Sequence, residues 1–274
     1  MLEKYGKWAI ITGASSGIGK AFVFDVAAEN MNIIMVSNEK EPLELLCKEI
    51  TDTYNIEAIA CFADLSDKEG INKIIEVAKG KEIGLLINDA SYGIHGRFVE
   101  SKLEDYYHLI NVNVNAYVAL THAILPQMID RNRGAVIMVS SLNSFSPIAE
   151  SAIYTATKAF ELYFGSALWL EMKEHNIDVL VVMPGPTRTA FQEKAGTKVN
   201  SMALTPEELV KGVWPCLGIK MTYIPGIFNK LLSFVGSHVE MEKRVILASK
   251  IYKLMLHEKP DANLMELFAE LDFL

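Results

Sequence analysis

The chain has 274 residues, half of them hydrophobic, with a formal net charge of −8 and a pI near 5.4. That length suffices for one large α/β core. The acidity excludes the basic stripe of a nucleic-acid-binding protein, so no nucleic-acid partner is expected. Three cysteines, Cys47, Cys61 and Cys216, are odd in number and widely spaced, which speaks against a disulfide framework and a paired-cysteine zinc site.

The opening MLEKYGKWAIITGASSGIG lacks the pattern of a secretory signal. No uninterrupted apolar run approaches the roughly 20 residues of a membrane span. A cytoplasmic protein is the expectation.

Along the chain, WAIIT (8–12) is a short apolar run that ends at a glycine, and KAFVFDVAAENM after Gly19 has helical spacing. The alternation continues with NIIMVS, PLELLCKEITDTY, EAIACFADL, EGINKIIEVAKG and IGLLIND. Then come one long predicted helix, DYYHLINVNVNAYVALTHAILPQMI, the strand AVIMVSS, a helix containing Tyr154, and the strand DVLVVMPG. About six β-rich runs separated by amphipathic helices predict an α/β fold, a doubly wound, Rossmann-like parallel sheet covered on both faces.

Past Gly185 the period is lost until Thr205-Pro206-Glu207-Glu208, a helix N-cap and first-turn signal. The predicted organisation is a single dinucleotide-binding and catalytic domain over 1–230 and a C-terminal helical extension over 231–274. In that extension Met241, Val245, Ala248, Tyr252 and Met255 share one helical face, read as packing on the core or on a second subunit. Its basic side, Lys243, Arg244, Lys250 and Lys253, offers a peripheral membrane contact as the less favoured reading.

In TGASSGIG, Gly13, Gly17 and Gly19 lie between the first strand and the first helix. Amides at a helix N-terminus face anions there, and glycine admits positive φ and close approach, so a dinucleotide pyrophosphate is the candidate ligand. The spacing is not G-x-G-x-x-G. The second strand ends in Ser37-Asn38-Glu39-Lys40, with no aspartate closing it and no arginine following. Without a carboxylate at Ser37 the main repulsion against a ribose phosphate is gone, and Ser15, Ser16, Asn38 and Lys40 are available donors. NADP(H) is therefore favoured over NAD(H).

Tyr154 and Lys158, in YTATK, stand four apart on a helix and present a phenol and an ammonium on one side. An unperturbed phenol, with a pKa of about 10, is a poor proton shuttle near neutrality, and a neighbouring cation lowers that value. The pair is thus a candidate general acid/base. Ser141 ends the strand AVIMVSS thirteen positions earlier, where open α/β sheets place ligands and a hydroxyl can bond a substrate oxygen.

Taken together, TGASSGIG at 12–19, NDAS at 88–91, Asn113 in NVNVNAY, Ser141 and Tyr154-Thr-Ala-Thr-Lys158 resemble the short-chain dehydrogenase/reductase family. The resemblance runs from about Lys7 to Thr189. It implies Tyr154 as acid/base, Lys158 as the residue that lowers its pKa and binds the nicotinamide ribose, Ser141 orienting the carbonyl and Asn113 holding a relay water. For the cofactor it implies Ile18 with the glycine turn, Asp64 and Leu65 at the adenine, Asn88 and Ala90, and then Pro184, Gly185, Thr187 and Thr189 along the nicotinamide. Residues 190–204 resemble the family's substrate loop, and a homodimer or homotetramer is implied.

The chain departs from the family pattern at Asp89 and Ser91, where N-N-A-G is usual, at Ala116, often glycine, and at Asn38, often arginine in NADP-preferring members. Within the family, the opening LEKYGKWAIITGASSGIGKAF and the segment MALTPEELV resemble bacterial members acting on hydroxysteroids and bile acids, and long-chain 3-oxoacyl reductases look similar too. The expected substrate is a hydrophobic small molecule carrying a secondary alcohol or ketone. The alternatives are a 3-oxoacyl reductase, or a silent dinucleotide-binding regulatory protein. His95 has no second metal ligand near it and is expected to be structural, so no metal is expected.

Overall fold

The computed structural model describes residues 2–189 and 203–253. Seven parallel strands form one sheet in the order β3-β2-β1-β4-β5-β6-β7. They are β1 (Trp8–Thr12), β2 (Asn32–Ser37), β3 (Ala58–Phe62), β4 (Ile83–Asn88), β5 (Gly134–Val139), β6 (Ile177–Val182) and β7 (Thr222–Tyr223). The first six follow the β-rich runs of the sequence. β7 is too short to leave a periodic signal, and it pairs with β6 as Val181 with Thr222 and Val182 with Tyr223.

Because successive side chains of a strand point to opposite faces, the buried runs divide between two cores. Ile11, Met35, Ile87, Ile137 and Leu180 pack on one face, and Ile10, Ile34, Leu86, Val136 and Val179 on the other. Helices α1 (Gly17–Ala28) and α2 (Lys40–Thr53) cover the first face. Helices α3 (Lys68–Ala78), α4 (Leu103–Ile110), α5 (Ala116–Asp130) and α6 (Ala152–Glu171) lie among the elements that follow β3, and Tyr117 of α5 is wholly enclosed on the second face.

The one long helix predicted over 105–129 is instead α4, a π-helical stretch Asn111–Asn115, and α5. Wide turns of this kind inside a helix often mark functional sites, and no pattern of apolar residues announces them. Asn113 sits within this one.

Helix α7 (Pro206–Lys211) starts with a full capping box: Thr205 Oγ1 accepts from the Glu208 amide, and Glu208 accepts from the Thr205 amide. This is the start signal the sequence carries. Helix α8 (Ile227–His238) runs across the expected boundary at 230, and α9 (Met241–Lys253) follows. Two bonds tie α9 to the segment before α6: Ala149 N–H to Ser249 Oγ at 2.9 Å and Arg244 Nη1 to the Phe145 carbonyl at 3.0 Å. Most of the expected substrate loop, 190–202, and the chain end from 254 lie outside the described residues.

The strand order reverses between β1 and β4. In open parallel sheets the crevice beyond the carboxyl ends of the strands, at this reversal, is where ligands bind.

Candidate active site

The glycine turn follows β1 into that crevice. Gly13 has φ +69° and Gly17 φ +57°, conformations side chains rarely adopt. A Cβ on Gly13 would stand 3.0 Å from the Ala90 backbone, and one on Gly17 3.1 Å from Thr189 Cγ2. The turn is therefore pressed against both the 88–91 segment and the segment after β6, which brings three parts of the expected cofactor site together. Gly19 serves packing: a Cβ there would lie 2.2 Å from the Gly13 carbonyl oxygen. Ser16 is the N-cap of α1 and makes no side-chain capping bond.

At the end of β2, Ser37 Oγ donates to Ser15 Oγ and Ser15 Oγ donates to Glu39 Oε2, both at 2.8 Å. A carboxylate thus stands at this position although none ends the strand. It reaches Ser15 by turning back from the residue two beyond Ser37. Asp64 accepts from the Ser66 amide at 2.8 Å, while Leu65 is buried in the core, so any cofactor contact from it is made by backbone.

Thr12 Oγ1 accepts the amides of Asp89 and Ala90 at 3.0 and 3.1 Å and so fixes the segment after β4. Asn88 donates to Thr121 Oγ1 at 3.2 Å, and its own buried Oδ1 finds no protein partner. Asp89, charged where the family has asparagine, accepts the Gly19 amide and faces Lys158, yet burial outweighs both and pushes its carboxyl up to about 7. Ser91 Oγ reaches Asn113 Oδ1 at 3.4 Å.

Asn113 is fully enclosed. Its amide donates to the Tyr92 carbonyl at 2.9 Å and to Thr157 Oγ1 at 3.0 Å, and its Oδ1 accepts the Tyr92 amide at 2.9 Å. The side chain therefore locks α6 to the loop after β4. Ser141 opens a short turn, its Oγ accepting the Asn143 amide at 3.1 Å, and bonds the Tyr154 phenol.

Tyr154 and Lys158 are both buried on α6, the ammonium 5.8 Å from the phenol ring centre. Lys158 Nζ donates to the Val139 carbonyl at 3.1 Å and to both carboxylate oxygens of Glu161 at 3.0 Å. Glu161 is fully enclosed, and burial raises its carboxyl to about 7 against the pull of Lys158. This changes the expected electrostatics. The Tyr154 phenol is held above its ordinary value, by burial first and by the Glu161 charge second, with the Ser141 bond working the other way. The nearby ammonium alone does not make it acidic.

His95 Nδ1 lies 2.8 Å from Ser151 Oγ and 3.0 Å from the Tyr252 hydroxyl, and its ring stands edge-on to Tyr154 with centres 5.8 Å apart. Tyr252 of α9 thus brings a second phenol to the site. Glu161, Glu39 and Tyr252 are not among the site residues that the sequence predicts. Glu161 had a usable signal, since it stands three residues after Lys158 on the same helical face, in an otherwise apolar stretch.

Pro184 accepts the Leu142 amide at 2.8 Å, and Thr187 Oγ1 donates to the Gly185 carbonyl at 3.0 Å. Gly185 is needed where it stands, because a Cβ would meet Asn229 at 2.5 Å. Beside the glycine turn a cavity of about 500 Å³ is lined by Gly17, Lys20, Phe24, Arg188, Thr189 and Thr205, among others. Two positive-φ glycines that admit close approach fit a dinucleotide at this turn. The adjoining cavity carries Asp25 and Glu207 as well as Lys20 and Arg188, and the unsatisfied Asn88 oxygen, an acceptor, fits a ribose hydroxyl and not a phosphate. Among the described residues no cluster of histidine, cysteine and carboxylate side chains could hold a metal ion.

A family model for short chain dehydrogenases matches residues 7–200, and the chain belongs to that oxidoreductase family. The inactive hydroxysteroid dehydrogenase-like protein 1 of Rattus norvegicus is 35% identical over 187 residues, 67% of this chain and 57% of that protein, so the match spans little more than half of that relative. A solved 7β-hydroxysteroid dehydrogenase structure superposes with a TM-score of 0.83 at 30% identity, covering 89% of this chain and 97% of that one. A Sphingobium yanoikuyae short-chain dehydrogenase in complex with NADPH gives 0.76 at 28% identity, covering 85% and 96%. The likeness to hydroxysteroid dehydrogenases thus includes a relative described as inactive.

Proposed function

We propose that the chain is an active nicotinamide-dependent oxidoreductase that interconverts a secondary alcohol and a ketone on a hydrophobic molecule, a hydroxysteroid in the first instance. The observation that carries this reading is the enclosed Tyr154 phenol, bonded by Ser141 and backed by Lys158 on the same helix. The cofactor supplies the hydride chemistry. Tyr154 Oη takes the hydroxyl proton in oxidation and returns it to the carbonyl oxygen in reduction, while Ser141 Oγ bonds that oxygen. The glycine turn and the 184–189 segment hold the dinucleotide.

NADP(H) is the cofactor proposed. The donors Ser16, Asn38 and Lys40 and the NADPH-bound relative support it, while Ser15 gives its hydroxyl proton to Glu39. Glu39 supports the opposite reading, NAD(H), because its carboxylate bonds Ser15 and repels a ribose phosphate. Titrating wild type and Glu39→Gln with NADPH and NADH separates the two: tighter NADPH binding is expected in wild type, with a further gain in the variant for NADPH alone. Tighter NADH binding by wild type overturns the NADP(H) reading.

Turnover of a panel of hydroxysteroids, 3-oxoacyl esters and simple ketones with both cofactors tests the activity. Tight cofactor binding with no hydride transfer to any carbonyl would move the chain to the regulatory reading, which the relative described as inactive favours.

A further inference from the structure

Glu161 is an unusual neighbour for a catalytic ammonium. Lys158 Nζ has three protons, and three protein oxygens stand around it: the Val139 carbonyl and both oxygens of Glu161. The pair is almost sealed, at 2% and 0% side-chain exposure, so neither group has water as a substitute partner. Burying two charges together is rarely a gain in stability over an apolar pair of the same volume, so the ion pair calls for another reason.

The groups facing Glu161 come from every element around it. Lys158 and Tyr154 lie on α6, Ser140 stands beside it just after β5 with its Oγ donating to the Lys158 carbonyl at 2.8 Å, and Asp89 adds a second negative charge from the end of β4. Tyr117 of α5 also feels the Glu161 charge. One ammonium therefore serves two carboxylates within reach of the phenol.

We propose that Glu161 is a positioning residue: its two-pronged grip fixes where the Lys158 ammonium points, so that the nicotinamide ribose must compete with it for Lys158, and its buried charge also acts directly on the Tyr154 phenol beside it. The second half rests on the reading of Tyr154 as acid/base, and the first on the nicotinamide cofactor proposed above. A ribose hydroxyl that bonds Lys158 takes a proton now given to Glu161, so cofactor affinity carries the cost of that exchange. A carboxylate beside the phenol opposes phenolate formation, while a free ammonium favours it.

Glu161→Gln and Glu161→Asp test both halves. The glutamine keeps the shape and loses the charge, and Asp89 remains to balance Lys158. It is expected to bind NADPH and NADH about tenfold more tightly, the worth of one charged hydrogen bond released. It also moves the acidic limb of the kcat/KM profile for alcohol oxidation down by about one pH unit. The aspartate keeps the charge on a shorter arm, so its limb stays at the wild-type position while cofactor binding still tightens.

A folded Glu161→Gln protein with wild-type cofactor affinity and a wild-type limb overturns the proposal. If the glutamine variant does not fold, Glu161→Asp decides: unchanged cofactor affinity overturns it. If wild type oxidises no alcohol, the acid/base reading of Tyr154 fails on its own, and the cofactor titration still tests the grip on Lys158.

Discussion

Replacing the Tyr154 hydroxyl by hydrogen removes the group proposed to transfer the proton. Its bond partner Ser141 keeps the Asn143 amide, and the ring still fills its place against His95. Tyr154→Phe is therefore expected to bind cofactor like wild type and to lose about 10²–10⁴-fold in kcat, the usual worth of a positioned acid/base. Full turnover by the variant sinks the proposed mechanism. Asp89 gives a prediction on stability. Its carboxyl rises from an ordinary value near 3.8 to about 7 in the fold, so the folded chain binds that proton more tightly than the unfolded one. Such a group adds stability that is fully present below about pH 4 and lost as pH rises through about 7. Asp89→Asn should leave the melting temperature less sensitive to pH over that window, with its advantage over wild type growing towards pH 8. An advantage that shrinks with rising pH would refute the burial argument. Tyr154 stood out in the sequence because its four-residue spacing to Lys158 falls together with the glycine turn, the strand-end Ser141 and Asn113. Glu161 has the same kind of spacing, but a buried carboxylate and a surface one look alike in a string of letters, and only enclosure tells them apart.

At the scale of elements, the alternation of apolar runs and amphipathic helices made six strands readable, because a strand buried on both faces must be apolar throughout. The seventh has two residues, and the π-helical stretch at Asn111–Asn115 depends on a backbone register that side-chain chemistry does not encode. We expect α9 to bear on substrate choice. Ser249 and Arg244 anchor it to the loop just before α6, and this places Tyr252 against His95 and Ser151. The sequence showed that helix's apolar face, with Tyr252 on it, but nothing in the spacing said which surface it would meet. Tyr252→Phe keeps the ring and removes the hydroxyl that meets His95. Raised KM for a hydroxysteroid, with the NADPH dissociation constant unchanged, is the expected result in steady-state kinetics and fluorescence titration. An unchanged KM would show that α9 closes the site by packing alone.

For the whole molecule, α6 carries the proposed site residues on one face and exposed apolar side chains on another. Its inner face carries Tyr154, Lys158 and Glu161, all buried, while Tyr163 and Leu170 stand 76% and 66% exposed on the same helix. They are seven residues apart, two helical turns, and so share one outer face. Burying such a side chain is worth about 1.5–3 kcal/mol, which a second subunit gains and solvent does not. We propose this face as the contact of the dimer or tetramer that the family resemblance implies. Tyr163→Asp with Leu170→Asp puts two charges on that face, and a charge buried without a partner costs more than the apolar contact gives. Sedimentation velocity should then show a monomer where wild type shows a dimer or tetramer. Because the same helix holds Lys158 and Glu161, loss of the partner should also lower the melting temperature and make it independent of protein concentration. An assembly that survives both charges would move the contact away from α6.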